Sequence, residues 1–222
     1  MEALRKVIFA AVLAGLAAGV WVTLLHQVLT VPLILQAETF ETPAAQHAST
    51  AAWHPHSLLE RRLGTAISDV LTGIGFALVL MALWLVRGEQ IVWRQGVAWG
   101  IGGFLATTVA PSLGLPAELP GSAAAALNER QLWWALTVGL TALGLGLISF
   151  AHPWWLKALG LVSLSVPHLV GAPQPLAAAS LVPHELERTF QQAVLVCNFL
   201  FWVALGAAAS YSFRRLRVVG AS

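Results

Sequence analysis

Long apolar runs separated by short polar stretches set the pattern of this chain. A bilayer-spanning helix needs about 17–25 mostly apolar residues. Runs that meet this cover Val7–Leu35, Leu63–Val86, Trp133–Phe150 and Ala193–Phe213. Two shorter ones, Gln95–Ala110 and Trp154–Gly171, complete the series; the first is glycine-rich (WGIGGF) and the second carries Pro167 near its end. The pattern predicts an all-α, polytopic membrane bundle forming a single membrane domain over residues 1–222. Six spans are expected, with five as the alternative if one short segment is re-entrant. Gly15–Gly19 and Gly96–Gly100 have the small-xxx-small spacing that lets two helices approach closely.

Composition agrees with the pattern. Hydrophobic residues make up 58% of the chain and charged residues only 10%, with a mean hydropathy of +0.76; a soluble domain carries about 25% charged residues. The start, MEALRKVIFAAVLAGLAAGV, has a basic lead and an apolar core as a signal peptide does, but the run continues to Leu35 without a convincing cleavage site. It is read as an uncleaved first span. The net charge of +2 is small and its basic residues are dispersed, which gives no support to a nucleic-acid partner. A single cysteine, Cys197, excludes an internal disulfide framework.

Orientation follows from the basic residues. Six spans place Arg5, Lys6, Arg87, Arg94, Lys157, Arg214, Arg215 and Arg217 on one side, and Arg61, Arg62, Arg130 and Arg188 on the other. Both termini are therefore expected in the cytoplasm. The same map puts Glu38, Glu41, Glu60, Glu118, Glu129, Glu185 and Glu187 outside, with His47, His54, His56 and His184. Imidazoles and carboxylates together suit borderline divalent metals such as cobalt, nickel and zinc, whereas copper(I) wants cysteine or methionine. The alternative is an acidic outer face with no function, since Asp and Glu contribute little to topology.

Candidate ligands fall into three groups. His54-Pro55-His56, followed by Glu60, could present two imidazoles from a stiffened extended segment, although a closed site usually needs four ligands; a solvated loop is the equal alternative. Asp69 lies within the second span, where a carboxylate is costly and by default marks a pathway or a partner. His26, in the polar series Thr23, His26 and Thr30, should lie at a comparable depth. Asp69 could therefore pair with His26, or else with helix-start amides or with Arg61 and Arg62. By contrast, the inner halves of the spans (Val7–Gly19, Phe76–Val86, Phe199–Ala209) carry no ionisable side chain, which argues for an outward vestibule rather than a complete aqueous channel.

The third group is the stretch APSLGLPAELPGSAAAALNERQLWW, Ala110–Trp134. Pro111, Pro116 and Pro120 remove backbone donors and fix φ, so no regular helix runs through Gly114–Gly121. Glu118 is held between two of these prolines. Ser122 is placed to cap a short helix carrying Glu129 and Arg130 to Trp133–Trp134, a pair expected at a membrane interface. Glu118 is either a carboxylate set at a pore mouth or part of a rigid connector.

With GLPAELPG, ERQLWW, WGIGGF, VPHLVGAPQP, FWVALG and the opening VPLILQAE, the chain resembles the CbtA family of predicted cobalt transporter subunits nearly end to end. The resemblance implies cobalt uptake across a bacterial inner membrane, linked to cobalamin supply, beside a small single-span histidine-bearing partner subunit. A longer histidine-rich first loop is frequent in that family; here it is reduced to His47, His54 and His56. The expected function is thus a cobalt or related divalent-metal uptake subunit, with metal ligands His54, His56, Glu60, Glu118, Asp69 and His26. A non-transporting membrane scaffold is the alternative, and a homo-oligomer is left open. No HExxH, GxSxG or phosphate-binding GxxxxGK[ST] pattern occurs, so no enzyme is expected and any energy comes from a gradient or a partner.

Overall fold

A computed structural model describes residues 2–40, 57–88, 91–175 and 180–216, and all regular structure in them is helical. The helices are α1 (Glu2–Leu29), α2 (Val31–Glu38), α3 (Leu58–Arg87), α4 (Trp93–Phe104), α5 (Leu127–Phe150), α6 (Trp154–Val170) and α7 (His184–Arg215). α4 runs on through a π-helical turn, Leu105–Val109, into a last helical turn, Ala110–Ser112. Four of the described helices are long and apolar enough to cross a membrane (Leu4–Leu29, Leu58–Arg87, Leu127–Phe150 and His184–Arg215), and α6 is a shorter apolar helix.

The first apolar run does not form one helix. It breaks at Thr30, because Pro32 at the start of α2 has no N–H to continue the ladder. α5, in contrast, begins earlier than its apolar run suggests and carries Glu129 and Arg130 in its first turns. α3 is capped at its start by the Ser57 hydroxyl, which accepts from the Glu60 N–H at 3.1 Å, and ends at Gly88 in the left-handed region (φ +66°).

The chain divides into two compact units, one of residues 1–29, 51–101 and 196–222, the other of residues 30–50 and 102–195. In the first unit α1 and α3 pack through small residues. Ala10, Ala11, Ala14 and Ala18 are buried, while Ile8, Val12, Leu16, Val20, Leu24 and Val28 stand exposed around the same helix. Small side chains inside and large apolar ones outside reverse the soluble-protein order and suit a lipid solvent, where association depends on close packing. Gly15 and Gly19 make the approach possible: a Cβ on Gly19 would lie 2.5 Å from the Val70 Cα, and one on Gly73 would lie 2.7 Å from the Gly15 carbonyl oxygen. Gly96 and Gly100 do the same against Ser210, Gly206 and Trp202 of α7. Both glycine spacings read from the sequence therefore serve packing.

In the second unit α5 and α6 form an antiparallel hairpin across the short link at residues 151–153. Gly144 and Gly160 meet backbone to backbone, and the Ser163 hydroxyl donates to the Leu140 carbonyl at 2.8 Å. A small apolar core joins three segments at one end of this unit. Ala37 of α2, Leu119 of the proline-rich stretch, and Val182, Leu186 and Phe190 around the start of α7 are all buried together.

Candidate functional site

Two carboxylates partly withdrawn from water, one in each unit, are the best-defined polar features among the candidate ligands. Each arises from a different local cause.

Asp69 stands in the middle of α3, on the face that the α1 seam covers. Its Oδ2 lies 3.1 Å from His26 Nδ1 and accepts from the Thr23 hydroxyl at 2.9 Å. The side chains of His26 and Asp69 are 24% and 14% exposed, so the pair is largely out of solvent. Thr23 and His26 are three apart on α1, which puts both on one helical face toward α3. Of the partners the sequence left open for Asp69, the fold brings His26, and Thr23 with it. A carboxylate only accepts, so the ring nitrogen facing it is the one that carries hydrogen. The hydrogen bond to the carboxylate then sets both the tautomer and the direction of the ring.

Glu118 is fixed differently. The proline-rich stretch is non-helical over residues 113–126 and turns at Gly121 with φ +83°. Leu119 is buried in the small core while its neighbour Glu118 reaches Arg130 of α5, Oε2 to Nη2 at 2.6 Å. Their side chains are 24% and 30% exposed for Glu118 and Arg130. Burial holds the Glu118 carboxyl above the ordinary carboxylate value, and the Arg130 guanidinium offsets this only in part. The Arg130 Nε is itself buried without a partner among the described residues. Nothing in the sequence pairs residues 118 and 130; they meet because the stretch folds back onto the first turn of α5.

Ser122 does not cap a helix. The four residues after it form no helix, and α5 starts at Leu127 with Ala126 before it. Its hydroxyl instead donates to Glu187 Oε1 at 2.9 Å; the Ser180 hydroxyl donates to the same oxygen at 2.6 Å, and His184 Nδ1 lies 3.4 Å from Oε2. A backbone bond from Leu181 N–H to the Gly121 carbonyl fastens the same two segments. Glu187 thus ties the proline-rich stretch to the start of α7, a role that its sequence context does not announce. Of the tryptophan pair, Trp133 faces the protein interior. It is buried, donates from Nε1 to the Pro167 carbonyl at 3.3 Å and packs edge-on to His168, leaving only Trp134 exposed.

Of the remaining expected ligands, Glu60 lies exposed in the first turn of α3. His54 and His56 lie outside the described residues, as do His47, Glu41 and Glu89. Among the described residues no three or more His, Cys, Asp or Glu side chains are grouped to hold a metal ion.

A family model for the probable cobalt transporter subunit (CbtA) matches residues 4–214. The chain belongs to this family, and the match spans both units. No curated protein and no solved structure matches it.

Proposed function

We propose that this subunit takes up cobalt or a related divalent cation across a bacterial inner membrane, receiving it on the outer face. The family carries the metal and the transporter role. The observation that supports a path through this chain is the Asp69–His26–Thr23 group within apolar helices, since a carboxylate at such a place is retained only with a partner or a task. In this reading His54, His56 and Glu60 collect the ion, Glu118 accepts it in place of Arg130, and the His26–Asp69 pair receives it within the helices. Each donor replaces a water that the ion loses. The chain crosses six times, the π-turned helix and α6 supplying the two spans beyond the four long ones, with both termini in the cytoplasm. A small histidine-bearing membrane subunit completes the system, as the ionisable groups stop short of the inner halves of the spans.

A second reading has its own observation. Glu118 and Glu187 are already committed to partners within the protein, as they would be in a scaffold whose outer face binds another protein. Radiolabelled cobalt uptake in cells expressing this chain, with and without the small subunit, separates the two. Uptake that needs this chain and is lost on Asp69→Asn supports the transporter. Metal-independent membrane assembly without any uptake supports the scaffold.

A further inference from the structure

Within the first unit, four helix ends come to one level. α1 and α3 pack antiparallel, Gly15 against Ile74 and Gly19 against Val70, so the start of α1 lies beside the end of α3. Gly96 and Gly100 of α4 meet Ser210, Gly206 and Trp202 of α7, which sets the start of α4 beside the end of α7. The Phe76 and Trp202 ring centroids are 4.7 Å apart and those of Trp84 and Phe213 5.5 Å, so α3 and α7 end together. This end carries Arg5, Lys6, Arg87, Arg94, Arg214 and Arg215. The acidic side chain at this end among the described residues is Glu2, bound to Lys6 at 2.8 Å.

Helix polarity does not account for the set. A cation is favoured at a helix C-terminus, where Arg87, Arg214 and Arg215 stand, but disfavoured in a first turn, where Arg5 and Arg94 stand. What the arginines share is the surface at which these apolar helices end, the level of phospholipid phosphates. Two of the guanidiniums are also held in place. Arg215 Cζ lies 5.2 Å from the centroid of the Tyr211 ring, and Arg94 Cζ 5.5 Å from that of Trp93. Tyr211 and Trp93 are 61% and 59% exposed, as aromatic residues are at a bilayer interface. A guanidinium lying over a ring uses its face there and keeps its N–H edge for an anion. Tyr211, Arg214 and Arg215 line a cavity of about 380 Å³, a volume that suits a small ligand.

We propose that Arg214 and Arg215, with Tyr211 beneath the Arg215 guanidinium, bind the phosphate diester of an anionic phospholipid headgroup. The planar fork of Arg215 offers two parallel N–H donors to two phosphate oxygens. Arg214 meets the net negative charge of the headgroup, which a zwitterionic lipid lacks. The site fastens the end of α7 to the membrane surface and does not depend on metal uptake.

The test is retention of phosphatidylglycerol by the purified full chain in neutral detergent, read by native mass spectrometry beside phosphatidylcholine and inorganic phosphate. The unmodified chain should keep phosphatidylglycerol in preference to phosphatidylcholine. Replacing both arginines, Arg214→Gln with Arg215→Gln, should weaken retention by about tenfold or more, because guanidinium–phosphate bonds are charge-assisted. Tyr211→Leu should weaken it by about two- to fivefold, the loss of one exposed cation–π contact. Should the double variant not accumulate, Arg215→Lys, which keeps the charge and loses the fork, should still weaken retention by roughly a few fold. Equal retention of the two lipids would overturn the site, as would undiminished retention by the double variant or, failing that variant, by Arg215→Lys. Full displacement of the lipid by inorganic phosphate would make a soluble anion the occupant and overturn the lipid assignment; lipid that stays bound supports it.

Discussion

Asp69 and Glu118 are both carboxylates that the fold draws partly out of water, and they are held there by opposite means. Asp69 has a neutral hydroxyl and a titratable ring as partners, donated by one face of a neighbouring helix. Glu118 has a guanidinium, a partner that is charged at every physiological pH. Among the described residues, the first arrangement sets no arginine or lysine against the carboxylate. In the second, a cation must displace Arg130 before it gains a ligand. Rigidity separates them as well. The Asp69 group rides on helices locked by a glycine seam that tolerates no added carbon, while Glu118 sits on an irregular segment anchored through Leu119 and the Glu187 hydrogen bonds.

The largest effect is expected where charge and packing coincide. Asp69→Asn should lower cobalt uptake by about 10–100-fold, the range for losing a group that orients a metal-ligating histidine, with normal amounts of protein in the membrane. Uptake within a factor of two of the unmodified chain would remove Asp69 and His26 from the path.

Next is the seam itself. Gly15→Leu drives a side chain into the backbone of Ile74 and should destabilise the first unit by about 1–3 kcal/mol or more. Gly75→Leu, on the exposed side of α3 away from this seam, meets open space and should cost little. Melting of the two variants in detergent checks this; equal losses would mean that α1 and α3 do not meet at these glycines.

Glu118 sharpens the contrast from the other side. Glu118→Gln should cut uptake severely if the cation replaces Arg130, and Arg130→Gln should then tighten cobalt binding, as a competitor is gone. If the pair only fastens the connector, both variants should bind alike and lose about 1 kcal/mol of stability. The pH dependence has a definite sign. The raised Glu118 pKa means that the folded chain holds this proton more tightly than the unfolded chain does. Its contribution to stability is therefore full below the ordinary carboxylate value and is lost as pH rises through the folded one. Melting between about pH 4 and about pH 7 should show this decline in the unmodified chain and a flatter profile in Glu118→Gln. Arg130→Gln should move the decline to higher pH.

The smallest effect belongs to the first loop. Replacing His54 and His56 together with alanine should raise the half-saturating cobalt concentration by a few fold and spare the maximal rate, because two ligands collect an ion but do not close a site. Loss of uptake at saturating metal would place these histidines in the translocation step.

Much of this was fixed by the one-dimensional pattern. Apolar runs of the right length make helices in a bilayer whatever their neighbours, because every backbone group must be satisfied within the segment. The glycine spacings and the non-helical character of residues 114–121 are equally local, set by missing side chains and missing donors. Asp69 stood out because a lone carboxylate in an apolar run has few acceptable surroundings, and the periodicity of Thr23 and His26 pointed to one of them. Tertiary structure decided the rest. Only folding chose His26 over Arg61 for Asp69, gave Arg130 to Glu118 and drew Ser122 away from a helix start to Glu187. It also turned Trp133 inward to the Pro167 carbonyl and left the Thr141 hydroxyl without a hydrogen-bond partner among the described residues. Each of these choices depends on which segment lies alongside, and a polar side chain with several acceptable partners takes the one that packing brings within reach.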